Sequence, residues 1–121
     1  AAMCAENVRL AAPASVHSLP TSGMQEDHVS MAWGSVRKLR RVVDNLRRIL
    51  AVEYVVAARA VDLRGPLEPA AGTGAALAAL RSVVPGPGPD RELAPELAGA
   101  EELLRADSVE QALAAVGVVL A

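Results

Sequence analysis

SVRKLRRVVDNLRRILAVEYVVAARAVDLR, residues 35–64, is the stretch whose reading decides the fold. No proline or glycine interrupts it. Apolar side chains stand at Ala32, Val36, Leu39, Val43, Leu46 and Leu50, alternating steps of four and three. That is the spacing of a helix packed lengthwise against other helices. Followed outward, the pattern predicts one helix over 25–64, beginning near Gln25 and ending near Leu63, roughly 57 Å long at 1.5 Å per residue. Such a length points to a bundle rather than to an ordinary globular helix. Between Ile49 and Val61 the apolar residues spread around most of the circumference, leaving only Glu53 and Arg59 charged. A helix apolar on nearly all sides is expected to be buried on nearly all sides. A chain of 121 residues cannot readily surround it, so the pattern predicts association with other polypeptide.

The flanks are read from their turn formers. Residues 1–12 are alanine-rich and helical in character, and Pro13 ends them. Residues 13–24 form a loop dense in Pro, Ser, Thr and Gly. Residues 65–74 are a Gly/Pro/Ala linker, and 75–84 make a short helix stopped by Pro85. Pro95 suits the first turn of a further helix reaching about Ala106. Ser108 with Gln111 has the capping-box spacing for a last helix. No strand pattern is present. The expected class is all-α: a single segment, 1–121, with one very long helix and shorter C-terminal helices.

Composition narrows the rest. The hydrophobic fraction is 52 %, mostly Ala, Val and Leu, with no Phe, one Trp (Trp33) and one Tyr (Tyr54). Aromatic rings normally supply much of a core's buried area, so this core is expected to be thin. A net charge of −2 gives no overall attraction to nucleic acid or anionic membranes. Cys4, the only cysteine, excludes an internal disulfide and suits a cytoplasmic location. No apolar run approaches the ~20 residues of a membrane span, and no secretory signal pattern opens the chain.

Chemistry-bearing residues concentrate in PTSGMQEDHVSM, residues 20–31, where an amide, two carboxylates, an imidazole and three hydroxyls precede the long helix. One reading is helix capping alone, with Ser22 as the cap, Gln25 reaching back, and Glu26 and Asp27 complementing the helix dipole. The other is a site at the helix head. His17 and His28 lie too far apart in sequence to suggest zinc-type ligand spacing, and no metal is expected. The arginines and lysine at 37, 38, 40, 41, 47 and 48 are a possible phosphate-binding stripe. The absence of stacking aromatics and the helical pairing distance from Asp44 to Arg40 and Arg48 favour a solvated or subunit-facing stripe.

The block at residues 20–31 closely resembles the signature of histidine ammonia-lyases, in the aromatic amino acid lyase family. Its flanks agree: Leu10 to Ser15 resembles the preceding loop, Arg37 to Leu46 and Ile49 to Glu53 the following helix, and Ala57 to Arg64 that helix's end. Asp90 to Glu96 is similar to a stretch before a closing helix. The resemblance covers about residues 6–104.

It implies a mainly helical tetramer built around a long bundle, with active sites shared between subunits, that converts L-histidine to trans-urocanate and ammonia. The family's electrophile is a protein-derived methylidene-imidazolone made from an internal Ala-Ser-Gly. The resemblance maps an active-site carboxylate to Glu26, with Gln25 beside it as a substrate-binding neighbour, and leaves His28 structural. A carboxylate suits an imidazole, whose N–H it can accept and whose cation it can pair with. Ala-Ser-Gly is absent from the chain. His17 stands where the family usually has Asp, and Glu92 where an aromatic is common. The expectation is therefore a C-terminal portion of such a lyase, inactive alone, whose partners are the missing N-terminal portion and further copies of itself. The competing expectation is a non-catalytic helical oligomerisation module in which Glu26 is only a cap.

Overall fold

The computed structural model describes residues 1–25 and 28–119. Five helices occupy them: α1 Ala2–Leu10, α2 Ala32–Asp62, α3 Ala71–Arg81, α4 Ala94–Arg105 and α5 Ser108–Ala115. No strand occurs among the described residues. The all-α class with one long helix is therefore observed.

α2 has 31 residues, which spans about 46 Å. It starts later than its periodicity suggests. Ser22, Gly23 and Met24 all have left-handed backbone, with φ of 51°, 65° and 66°. Only glycine adopts that conformation without a Cβ penalty, and it cannot feed a right-handed helix. Ser22 thus caps nothing in α2. The Ser30 hydroxyl instead accepts the Ala32 N–H at 3.3 Å. At the far end Leu63 and Arg64 close the last turn onto Arg59 and Val61 before Pro66 removes the next donor.

Two compact units make up the chain, Ala1–Leu46 and Arg47–Ala121. In the first, α1 buries no residue fully. Its half-buried positions, Met3, Glu6, Asn7 and Leu10, share one helical face. Polar bonds to α2 hold that face, as described below.

In the second unit the core is Ala51, Val55 and Ala58 of α2 with Leu80, Val84 and Ala100. Leu77, Leu97, Leu103 and Leu104 pack on it. Among the described residues only Leu80 and Val84 are large side chains with no exposure, so the core is thin.

The capping box expected at Ser108 is corrected: α5 has none, since Asp107 precedes it with φ 53° and no side-chain cap bond. The stretch from Ile49 to Val61 is not buried all round within this chain, in keeping with the expectation that 121 residues cannot surround it. Val52 and Val56 are exposed, as are Val36, Leu39, Leu46 and Leu50 of the expected packing stripe.

Candidate active-site loop

Residues 11–31 join α1 to α2 and carry the polar block. Gln25 is exposed and sits in a turn, its N–H bonded to the Ser22 carbonyl at 3.4 Å. Glu26 and Asp27 lie outside the described residues. α2 begins at Ala32, so residues 20–25 and 28–31 precede the helix and are not its first turn. His28 is exposed. Val29 N–H donates to the Ser18 hydroxyl at 3.2 Å, closing the loop across eleven residues. Left-handed backbone at Ser22 and Met24 costs about 1–2 kcal/mol per residue. Strain of this kind concentrates where a chain must present particular groups.

The base of the loop is fixed by a row of polar contacts. Lys38, Arg41 and Asn45 recur at steps of three and four on α2 and so share a face. Lys38 Nζ donates to the Ala12 carbonyl. Arg41 pairs with Glu6 at 2.9 Å. Asn45 is buried and donates through Nδ2 to Glu6 Oε2 and Asn7 Oδ1, each at 2.9 Å. The Asn45 hydrogen bond, helped by Arg41 and Arg9, holds the Glu6 carboxyl below its ordinary pKa, against some desolvation. A recess of about 250 Å³ has Leu10, Ala12 and Pro13 on one side and Lys38, Leu39 and Val42 on the other. The loop therefore leaves α1 lying along the first turns of α2.

Two members of the basic stripe meet carboxylates. Arg41 is taken by Glu6 and Arg48 by Glu101 at 3.4 Å. Glu101 also bonds Arg105 at 2.9 Å.

The second unit holds an apolar groove of about 330 Å³ lined by Tyr54, Ala57, Val61, Thr73, Leu77 and Leu113. The Tyr54 hydroxyl donates to the Ala76 carbonyl, and burial pushes its pKa up. None of the residues expected from sequence to form a site lines this groove. Nearby charges serve structure: Arg81 pairs with Asp62 and also donates to the Val84 and Pro85 carbonyls. Arg91 pairs with buried Glu96 and donates to the Pro85 and Gly86 carbonyls. These bonds fasten the proline-rich turn at 85–89. The Arg91 hydrogen bond keeps the Glu96 carboxyl below its ordinary range despite burial, with Arg59 3.8 Å away. Glu92 is exposed, as is His17. Among the described residues no three His, Cys, Asp or Glu side chains gather as a metal site. No described helix is long and apolar enough to cross a membrane.

A long helix with a strained polar loop before it and short helices after it defines a helical-bundle chain of lyase type, and comparison with known proteins agrees. The model of the aromatic amino acid lyases matches residues 1–82. The chain belongs to that family. It is 55 % identical over 107 residues to a histidine ammonia-lyase of Streptomyces coelicolor, covering 88 % of this chain and 21 % of that one. It is 47 % identical over 119 residues to one from Bradyrhizobium diazoefficiens, covering 98 % and 22 %. Among solved structures, histidine ammonia-lyase from Trypanosoma cruzi superposes with a TM-score of 0.90 at 36 % identity, over 95 % of this chain and 23 % of that one. Tyrosine aminomutase from Streptomyces globisporus gives 0.87 at 39 %, over 94 % and 22 %. The chain thus spans about a fifth of the length of the relatives it matches.

Proposed function

We propose that the chain serves as the C-terminal portion of a histidine ammonia-lyase and offers Glu26 to the imidazole of L-histidine. The observation that carries this reading is the 55 % identity to a histidine ammonia-lyase across most of the chain. Fold alone does not choose the substrate, because a tyrosine aminomutase superposes nearly as well. The choice rests on the carboxylate at residue 26, which matches an imidazole's N–H and its cationic form. An ion-assisted hydrogen bond of that kind contributes about 1.5–3 kcal/mol.

Its own residues bind and orient; they do not supply the electrophile. The family's methylidene-imidazolone activates the substrate for ammonia loss, and this chain has no Ala-Ser-Gly from which to form it. The remaining site residues, and the copies that complete a shared site, come from other polypeptide in a cytoplasmic homo-oligomer. The exposed apolar side chains of α2, including Trp33, Leu39 and Val56, are the surface such polypeptide would cover. Gln25, exposed beside Glu26, is a second contact to substrate.

The test is complementation. The chain is refolded with the upstream four-fifths of the Streptomyces coelicolor relative, and trans-urocanate is followed by its ultraviolet absorbance. Neither part alone is expected to turn over histidine, and the mixture is expected to do so. A mixture that co-assembles and yields no urocanate contradicts the proposal.

A further inference from the structure

We infer that the face of α2 carrying Trp33, Arg37 and Arg40 docks an acidic segment of the further polypeptide that the longer relatives possess. This deepens the proposed function, rests on the chain assembling with such polypeptide, and does not involve residues 26 and 27. Three observations carry it, the first two within the first unit.

First, the face holds positive charge that the unit does not balance. Leu10 of α1 and Arg37, Lys38, Arg40 and Arg41 of α2 line a recess of about 340 Å³. Glu6 binds Arg41 through one oxygen and Asn45 through the other. Lys38 gives its ammonium to the Ala12 carbonyl, which carries no charge. Asp44 stands one turn further on and is not among the recess walls. Arg37 and Arg40 meet no carboxylate among the described residues. Like charges three and four residues apart on a helix repel, so a carboxylate seated between them stabilises the face.

Second, an apolar anchor lies on the same face. Trp33, Arg37 and Arg40 follow at steps of four and three, which makes them neighbours on the helix surface. Trp33 is 73 % exposed, although tryptophan is highly buried on average. Val36 and Leu39 beside it are exposed as well. Tryptophan and arginine are the residues that most often anchor protein interfaces, and a guanidinium takes a carboxylate bidentately.

Third, the occupant can be chosen. The match to the Streptomyces coelicolor relative covers 21 % of that protein, so most of its length lies outside this chain. A second copy presenting this same face would bring cations against cations. A small free anion would leave Trp33, Val36 and Leu39 uncovered. A segment with both carboxylates and apolar side chains satisfies the two parts of the face together.

The test mixes the chain with the upstream four-fifths of that relative. Association is followed on a sensor surface at low and physiological salt, and circular dichroism checks the helix of each variant. Arg37→Glu with Arg40→Glu is expected to slow association about tenfold or more at low salt and to flatten its salt dependence. Arg37→Lys with Arg40→Lys keeps the charge and is expected to associate at close to the parent rate. Trp33→Ala is expected to speed dissociation about tenfold or more. In Arg40→Lys, carbodiimide activation is expected to join the introduced amine to an Asp or Glu of the upstream part, located by mass spectrometry. Where the double reversal loses helix, that crosslink decides. An unchanged rate and salt dependence in a folded double reversal overturns the inference alone, since the complex still forms. Crosslinking of the amine only to a second copy of this chain also overturns it. No association by the parent chain overturns both the inference and the reading beneath it.

Discussion

At the scale of single residues, the polar side chains that matter are those whose partners sit far away in sequence. Glu6 and Asn45 are 39 positions apart and meet at 2.9 Å. Glu6's depressed pKa is due first to that bond. The folded carboxyl therefore ionises more readily than the unfolded one. The stability it contributes is present above the ordinary carboxylate pKa and is lost as pH falls through the lower folded value. Asn45→Ala is expected to raise the Glu6 pKa, read by NMR of the carboxyl carbon, and to shift acid unfolding of the first unit to higher pH. A Glu6 titration unmoved by the substitution contradicts this assignment. None of that pairing was legible beforehand, because an Asn on a helix and a Glu on another carry no mark of each other. Glu96 was hidden for a related reason. Charged residues are rarely buried, and Arg91, beside the turn at 85–89, does most to make its burial tolerable, with Arg59 adding to it. Glu26 was legible solely through the likeness of its neighbours to a known signature; spacing by itself equally suited a helix cap.

At the scale of elements, the helix periodicity was sound and the boundaries were set by backbone conformation. The end of α2 near residue 63 followed from Gly65-Pro66, a strong stop. Its start moved from Gln25 to Ala32, where Ser30 caps it; the left-handed backbone at residues 22–24 lies before both positions. Met24 has no sequence feature that announces such a φ. The capping box read at Ser108 failed similarly, since Asp107 turns left-handed. Packing of α3 against the second half of α2 depends on Leu80, which has no exposed surface. Leu80→Ala is expected to cost about 2–5 kcal/mol, measured by urea unfolding of the helical signal. A loss below about 1 kcal/mol would mean that the site collapses around the gap or that the core lies elsewhere.

At the scale of the whole molecule, composition anticipated the main physical fact. A chain without Phe builds a core in which, among the described residues, Leu80 and Val84 are the only fully buried large side chains, and leaves much of α2's apolar surface uncovered. The sequence placed that surface on nearly all sides of one stretch, whereas the second unit covers one face of it with α3 and α4 residues. Covering the rest is the task assigned above to the polypeptide that the longer relatives possess. That same assembly is where the central claim can be measured. In the reconstituted lyase, kcat/KM for L-histidine is compared between the parent chain and Glu26→Gln, a near-isosteric change that removes the charge and turns one acceptor oxygen into an NH2 donor. Loss of an ion-assisted hydrogen bond predicts a fall of about ten- to a hundredfold with assembly intact. Equal kcat/KM in the two proteins would contradict the claim that this chain's carboxylate meets the substrate.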